Sequence, residues 1–141
     1  MVAQFQIVVD ARDPVLVAEF WRTALGYERE PSPPGYDSWQ DFAVCNNIPR
    51  EAWSDSAVDP EGLRPRLFFQ PVLEEKEVKN RLHIDINAAA GGTSPEGRRI
   101  AVDEEINRLM EAGASVAACI DTDSEYRVVM RDPEGNEFCI Q

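Results

Sequence analysis

Asn80-Arg81-Leu82-His83-Ile84-Asp85-Ile86-Asn87 is the stretch that decides how this chain is read. Leu82, Ile84 and Ile86 alternate with His83, Asp85 and Asn87. Side chains two apart on a strand share a face. The alternation therefore predicts a strand with one apolar face on a core and one polar face turned elsewhere. His83 is the only histidine in the sequence. A row of His, Asp and Asn on an inner strand face suits a small-molecule site, which needs a few placed polar groups among apolar walls. The plainer reading of His83 is a partly buried histidine bonded to a neighbour.

Toward the N-terminus, Phe5, Ile7 and Val9 alternate with Gln6, Val8 and Asp10 in the same way, predicting a first strand. Asp13-Pro14 supplies a helix cap and a first-turn proline. Val17, Phe20, Trp21 and Ala24 follow at helical spacing, and Gly26 is a natural stop. Residues 27–31 read as a short strand, 31–35 as a turn, and 38–45 as another strand with Phe42 and Val44 around Ala43. Periodicity stops over 46–65, where Asn46-Asn47, Pro49, Pro60 and Gly62 predict a long loop, mobile and able to cover a cavity mouth. Trp53 would pin that loop to the body. Residues 66–72 return to a strand, with Leu67 and Phe69 opposite Phe68 and Gln70, and 74–79 read as a solvated connector.

Toward the C-terminus, 88–97 read as a loose loop. A second helix follows with Val102, Ile106, Leu109 and Met110 as its buried stripe, ending at Ala112-Gly113. Residues 115–120 and 126–131 form a hairpin. Asp132-Pro133-Glu134-Gly135-Asn136 is a tight turn into a last strand, 137–141. The order strand, helix, three strands thus occurs twice, in modules of about 1–73 and 80–141. A period of half the chain points to duplicated architecture. The expected fold class is α+β: a single domain, 1–141, of two βαβββ modules. They would form a curved, partly open eight-stranded sheet around a cavity, with one helix per module outside.

Twenty-six acidic against fourteen basic residues give a net charge of −12, which argues against nucleic acid and against anionic membrane surfaces as partners. No apolar run approaches a membrane span, and no secretory leader is evident. Three cysteines, Cys45, Cys119 and Cys139, are odd in number and widely spaced, which suits reduced thiols in a cytoplasmic protein.

The module order, the opening strand running into Asp13-Pro14, the helix end Ala24-Leu25-Gly26-Tyr27, Arg81-Leu82-His83 and the closing Asp132-to-Asn136 turn together resemble the vicinal oxygen chelate superfamily. That group includes glyoxalase I, extradiol dioxygenases and bleomycin-resistance proteins. The resemblance covers nearly the whole chain and is nearest to glyoxalase-like domains. It implies a homodimer and a small-molecule ligand.

It also implies where a metal would sit. Metal-using members place ligands on the first and last strand of each module. Those positions fall on Gln6, Gln70, His83 and Cys139. The last, four residues after the turn glycine, is usually glutamate. Two amides, one imidazole and one thiol are a poor set for a divalent ion, so no residue is assigned as metal ligand and any divalent metal is expected to bind weakly, zinc best. One histidine cannot make the two-histidine iron site of extradiol dioxygenases. Asp85 could orient the imidazole, and Glu137 could reach the site if its strand slips or bulges. Gln6 and Gln70 could bond each other or a ligand. Trp39 and Tyr126 could line the cavity or its rim.

Two functions remain open from sequence. One is a glyoxalase-like lyase or isomerase acting on a small oxygenated substrate, with His83 and Glu137 as catalytic groups. Gln6, Asp10, Gln70, Asp85 and Cys139 would bind the ligand. The other is a protein of bleomycin-resistance type that sequesters a ligand without chemistry.

Overall fold

The computed structural model describes residues 1–90 and 94–141. The chain is α+β, with three α-helices and two open mixed sheets among the described residues. It divides into two compact units, 1–75 and 76–141.

In the first unit, β1 (Gln6–Ala11), β3 (Arg66–Pro71) and β2 (Asp55–Ala57) form a sheet in the order β1-β3-β2. β1 runs parallel to β3, and β2 antiparallel to it. α1 (Pro14–Leu25) covers one face. Its cap is as the sequence predicts: Asp13 accepts from the Leu16 N–H at 3.2 Å, and Gly26 ends the helix at φ 68°. Val17, Ala18, Phe20, Trp21 and Ala24 pack down, and Leu67 and Phe69 are buried beneath them. Each large apolar side chain so buried contributes about 1.5–3 kcal/mol. Phe5, expected in this core, is exposed because β1 begins one residue after it.

Residues 38–45 are not a strand. They contain α2 (Trp39–Cys45), capped by Ser38, whose hydroxyl accepts from the Asp41 N–H at 3.0 Å. Phe42 and Val44 look like strand alternation, but Trp39, Phe42 and Ala43 are spaced i, i+3, i+4. The cap starts a helix there, and Ala43 is buried. Residues 27–31 contribute only one bridge, Glu28 to Val58. The missing strand lies inside the stretch read as loop. β2 follows a short 3-10 turn (Arg50–Ala52), and Asp59 then ties the return to β3. Its carboxylate accepts from the N–H groups of Glu61, Leu63 and Arg64 at 3.0–3.1 Å. The described residues therefore hold seven strands rather than eight.

The second unit has the βαβββ order: β4 (Asp85–Ile86), α3 (Pro95–Glu111), β5 (Ser115–Asp121), β6 (Tyr126–Arg131) and β7 (Glu137–Ile140). The sheet order is β4-β7-β6-β5. Val102, Ile106 and Leu109 pack with Val128, Met130, Phe138 and Ile140 as the core. Met110, expected in the stripe, is half-exposed. α3 starts within the stretch read as loose loop, with Ser94 accepting from the Gly97 N–H at 3.0 Å. Residues 91–93 of that stretch lie outside the described residues. Ladder pairing covers only Asp85 and Ile86 of the 80–87 segment, and Leu82, expected in the core, is exposed. In the closing turn, Asp132 accepts from the N–H groups of Glu134 and Asn136 and from Asn136 Nδ2 at 2.8–3.0 Å, and Gly135 sits at φ 90°.

Candidate functional site

β4 lies parallel to β7 with Asp85 opposite Cys139. The Cys139 N–H reaches Ile84 O at 3.1 Å, and the Gln141 N–H reaches Ile86 O at 3.0 Å. Phe138 and Ile140 are buried on the α3 side, so Cys139 and Asp85 stand on the opposite face. His83 joins them: one ligand atom from each of His83, Asp85 and Cys139 lies within 4.8 Å of the others. The imidazole Nε2 is 3.7 Å from Asp85 Oδ1, beyond hydrogen-bond length, leaving room for a bridging atom. His83 and Asp85 are exposed and Cys139 is buried.

Burial pushes the Cys139 thiol above its ordinary value, and the neighbouring Asp85 carboxylate adds to this by its charge and by accepting the S–H. Arg127 and Lys79 oppose the shift without cancelling it. Cys139 is therefore a neutral thiol at neutral pH, not a thiolate nucleophile.

Glu137 stands two residues earlier on β7. The β6–β7 register runs unbroken from Val128 opposite Ile140 to Arg131 opposite Glu137, so β7 neither slips nor bulges. The Glu137 carboxylate instead meets Lys76 Nζ at 2.9 Å and the Asn80 N–H at 3.1 Å. Lys76, with the Asn80 N–H, holds it ionised, down at about 2. Lys76 was read from sequence as part of a solvated connector, but it is largely buried here. The mixed run of Glu and Lys over 74–79 has no periodic signal, so only the folded structure reveals this partner.

The first unit carries its own polar row on the sheet face away from α1. Gln6 Oε1 accepts from Arg66 Nη1 at 2.8 Å, and Gln70 Nε2 donates to Asp10 Oδ1 at 2.6 Å. Each pair sits directly opposite in the β1–β3 register. Gln6 and Gln70 are thus bonded to strand neighbours, not to each other. Arg66 also bonds Glu30 and lies 5.0 Å over the Phe68 ring; Glu30 is 36 positions away, so no local spacing reveals that bond. Trp39 donates its indole N–H to Glu30 O at 2.8 Å. Tyr126 donates to Asp103 of α3, which pushes the phenol up to about 12.

A hard ion such as manganese takes oxygen and imidazole ligands. Here the position usually held by glutamate is a neutral buried thiol. The three donors within reach are an imidazole, a carboxylate and that thiol, two of them exposed. This set does not fit a tightly held hard ion. No helix among the described residues is long and apolar enough to cross a membrane.

A glyoxalase-like domain family model matches residues 6–141. Comparison of the sequence with curated proteins finds no match. Among solved structures, a glyoxalase/bleomycin resistance protein/dioxygenase family enzyme from Burkholderia phytofirmans PsJN is 19% identical, with TM-score 0.58, over 96% of this chain and 94% of that one. A possible glyoxalase from Bacillus cereus is 16% identical, with TM-score 0.59, over 100% and 99%. A point mutant of the fosfomycin resistance protein FosX from Listeria monocytogenes, complexed with Mn(II) and 1S,2S-dihydroxypropylphosphonic acid, is 12% identical, with TM-score 0.61, over 100% and 90%. At such identities the likeness concerns the fold alone. The family model spans nearly the whole chain, closing turn included, and the chain therefore belongs to the glyoxalase-like domain family, within the glyoxalase/bleomycin resistance/dioxygenase (vicinal oxygen chelate) superfamily.

Proposed function

We propose that this protein binds a small oxygenated molecule against the His83–Asp85–Cys139 cluster and acts on it as a metal-poor relative of the glyoxalases. One observation carries the reading: these three side chains converge on the face of the β4–β7 pair that α3 leaves open. Family membership supports a small-molecule ligand. His83 is the general base or acid of this reading, with Asp85 3.7 Å away to stabilise the imidazolium once it takes a proton. The neutral Cys139 thiol gives its S–H to Asp85 and so helps hold that carboxylate beside His83. Glu137, fixed by Lys76 and Asn80, positions the 80–87 segment, since an ionised carboxylate with a value near 2 gives up no proton at neutral pH.

FosX in the Listeria structure holds Mn(II). In this chain the Cys139 thiol stands where such an ion would take a carboxylate. The same replacement favours a second reading, ligand sequestration without turnover, in a cytoplasmic homodimer of the kind the resemblance implies.

His83 provides a single imidazole resonance for testing. Small oxygenated compounds, glyoxylate and pyruvate among them, are screened for thermal stabilisation, and each stabilising compound is titrated while that resonance is followed. Saturable shifts, lost in Asp85→Asn, are expected. A compound that stabilises wild type and His83→Ala equally would move the site elsewhere. Product formation separates the enzyme from the sequestering protein.

A further inference from the structure

The first unit contains a cavity whose lining includes no residue of the His83–Asp85–Cys139 cluster. About 100 Å³ of space lies among Trp39, Phe42, Ile48 and Trp53, with Arg29 and Asp55 at its polar end. An apolar cavity of about 150 Å³ takes up benzene and drug-sized ligands need about 300 Å³ or more, so this smaller space takes at most one ring, and that only with part of it in the open mouth. Its walls are apolar by construction. Trp39 and Trp53 both turn their indole N–H groups to backbone oxygens, of Glu30 at 2.8 Å and Ile48 at 2.9 Å, leaving their carbon surfaces to the cavity. Gln40, Ala52 and Ser54, also on its lining, are exposed, so it opens to solvent.

At the polar end two arginines face two acids, since Arg22 also meets Glu19 Oε2 at 2.7 Å. Asp55 is already held by two guanidiniums: Arg22 Nη1 at 3.1 Å and Arg29 Nη2 at 3.0 Å. Its Oδ1 also accepts from the Ser56 N–H at 2.8 Å. It has no need of a cationic ligand. Arg29 differs. A guanidinium carries five N–H donors, and among the described residues only Asp55 takes one from Arg29. Its side chain is 38% exposed. Donors left over beside a ring-sized apolar space match a planar carboxylate, which a guanidinium recognises with two parallel hydrogen bonds.

We propose that this cavity is a binding site for a small cyclic or aromatic monocarboxylate, the ring between the indoles and Phe42 and the carboxylate on Arg29. The site does not depend on the His83 reading, and either can fail alone. Its lining comes from α2, from the 3-10 turn and from the residues that lead into β2.

Benzoate is the probe, and indole emission of the full-length protein is the readout. The third indole, Trp21, is buried in α1 and serves as constant background. Benzoate is expected to change the emission saturably, and benzylamine to have at least tenfold lower affinity. Arg29→Gln is expected to weaken benzoate at least tenfold. Ala52→Leu, which fills the cavity and removes no polar partner, is expected to abolish the response with far-UV circular dichroism unchanged. If Arg29→Gln fails to fold, Ala52→Leu decides. A response that never saturates, equal affinity for benzylamine, or full affinity in Ala52→Leu would each overturn the proposal.

Discussion

At the scale of single residues, Cys139 and Glu137 show how position on one short strand assigns opposite chemistry. Cys139 is buried beside a carboxylate, which keeps its thiol protonated. Cys45 and Cys119 are exposed. Iodoacetamide at pH 8 should therefore label Cys45 and Cys119 well before Cys139, as peptide mass spectrometry would show. Asp85→Asn removes a negative charge and a hydrogen-bond acceptor, so it should speed labelling of Cys139. A Cys139 that reacts first, or is indifferent to Asp85, would contradict the arrangement. Glu137 is the reverse case. Its folded value, about 2, lies below its ordinary 4.5. A depressed carboxylate stabilises the fold fully above its unfolded value and loses that contribution as pH falls toward the folded one. Stability should thus fall between pH 4.5 and about 2 more steeply in wild type than in Glu137→Gln. At pH 7 that substitution should cost about 1.5–3 kcal/mol, the range for hydrogen bonds to charged groups, measured by urea unfolding.

At the scale of elements, the sequence was most legible where local chemistry and tertiary packing agree. α1 announced itself through Asp13-Pro14, the Val17-to-Ala24 stripe and Gly26, and every one of those signals operates in the structure. The closing turn was equally legible, because Asp132 alone satisfies three donors within four residues. Asp132→Ala should cost about 3 kcal/mol, at about 1 kcal/mol net per hydrogen bond, by the same unfolding measurement. The first unit was misread where periods compete. Seven residues permit both a helical and an alternating apolar pattern, and the Ser38 cap settles α2. β2 is three residues long with polar Asp55 and Ser56 in it, below what alternation can detect, and pairing with β3 defines it. That pairing predicts slow amide exchange at 55–57, comparable with β3, within the stretch that the sequence presented as a mobile loop. Fast exchange there would remove β2 from the sheet. Of the candidate site, His83 and Asp85 are visible from alternation, and Cys139 only through the position that the resemblance implies after the closing turn. Their convergence is not visible, because it depends on the parallel pairing of β4 with β7, in which Asp85 stands opposite Cys139, 54 positions further along the chain and beyond any local signal.

At the scale of the whole molecule, charge sets the terms of association. The resemblance leads to a homodimer, and a two-fold contact brings the same surface of both copies together. Each copy carries a net charge of −12, so approach is opposed by repulsion between the two acidic bodies. Among the described residues, most ion pairs involve arginines at least partly exposed, such as Arg12–Glu75, Arg99–Asp121 and Arg127–Glu125. Pairs of that kind contribute only about 0.2–1 kcal/mol each. Their partners stand in direct contact, whereas the repulsion acts across a whole protein surface. The Debye length falls from about 30 Å at 0.01 M salt to about 8 Å at 0.15 M, so added salt screens the long-range repulsion first. Association should therefore tighten as sodium chloride rises from low to physiological concentration. Sedimentation equilibrium at several salt concentrations would read this directly as a falling dimer dissociation constant. A dimer that loosens with salt would mean that intersubunit ion pairs, not apolar burial, hold it. A monomer at high micromolar concentration at every salt would set the homodimer aside.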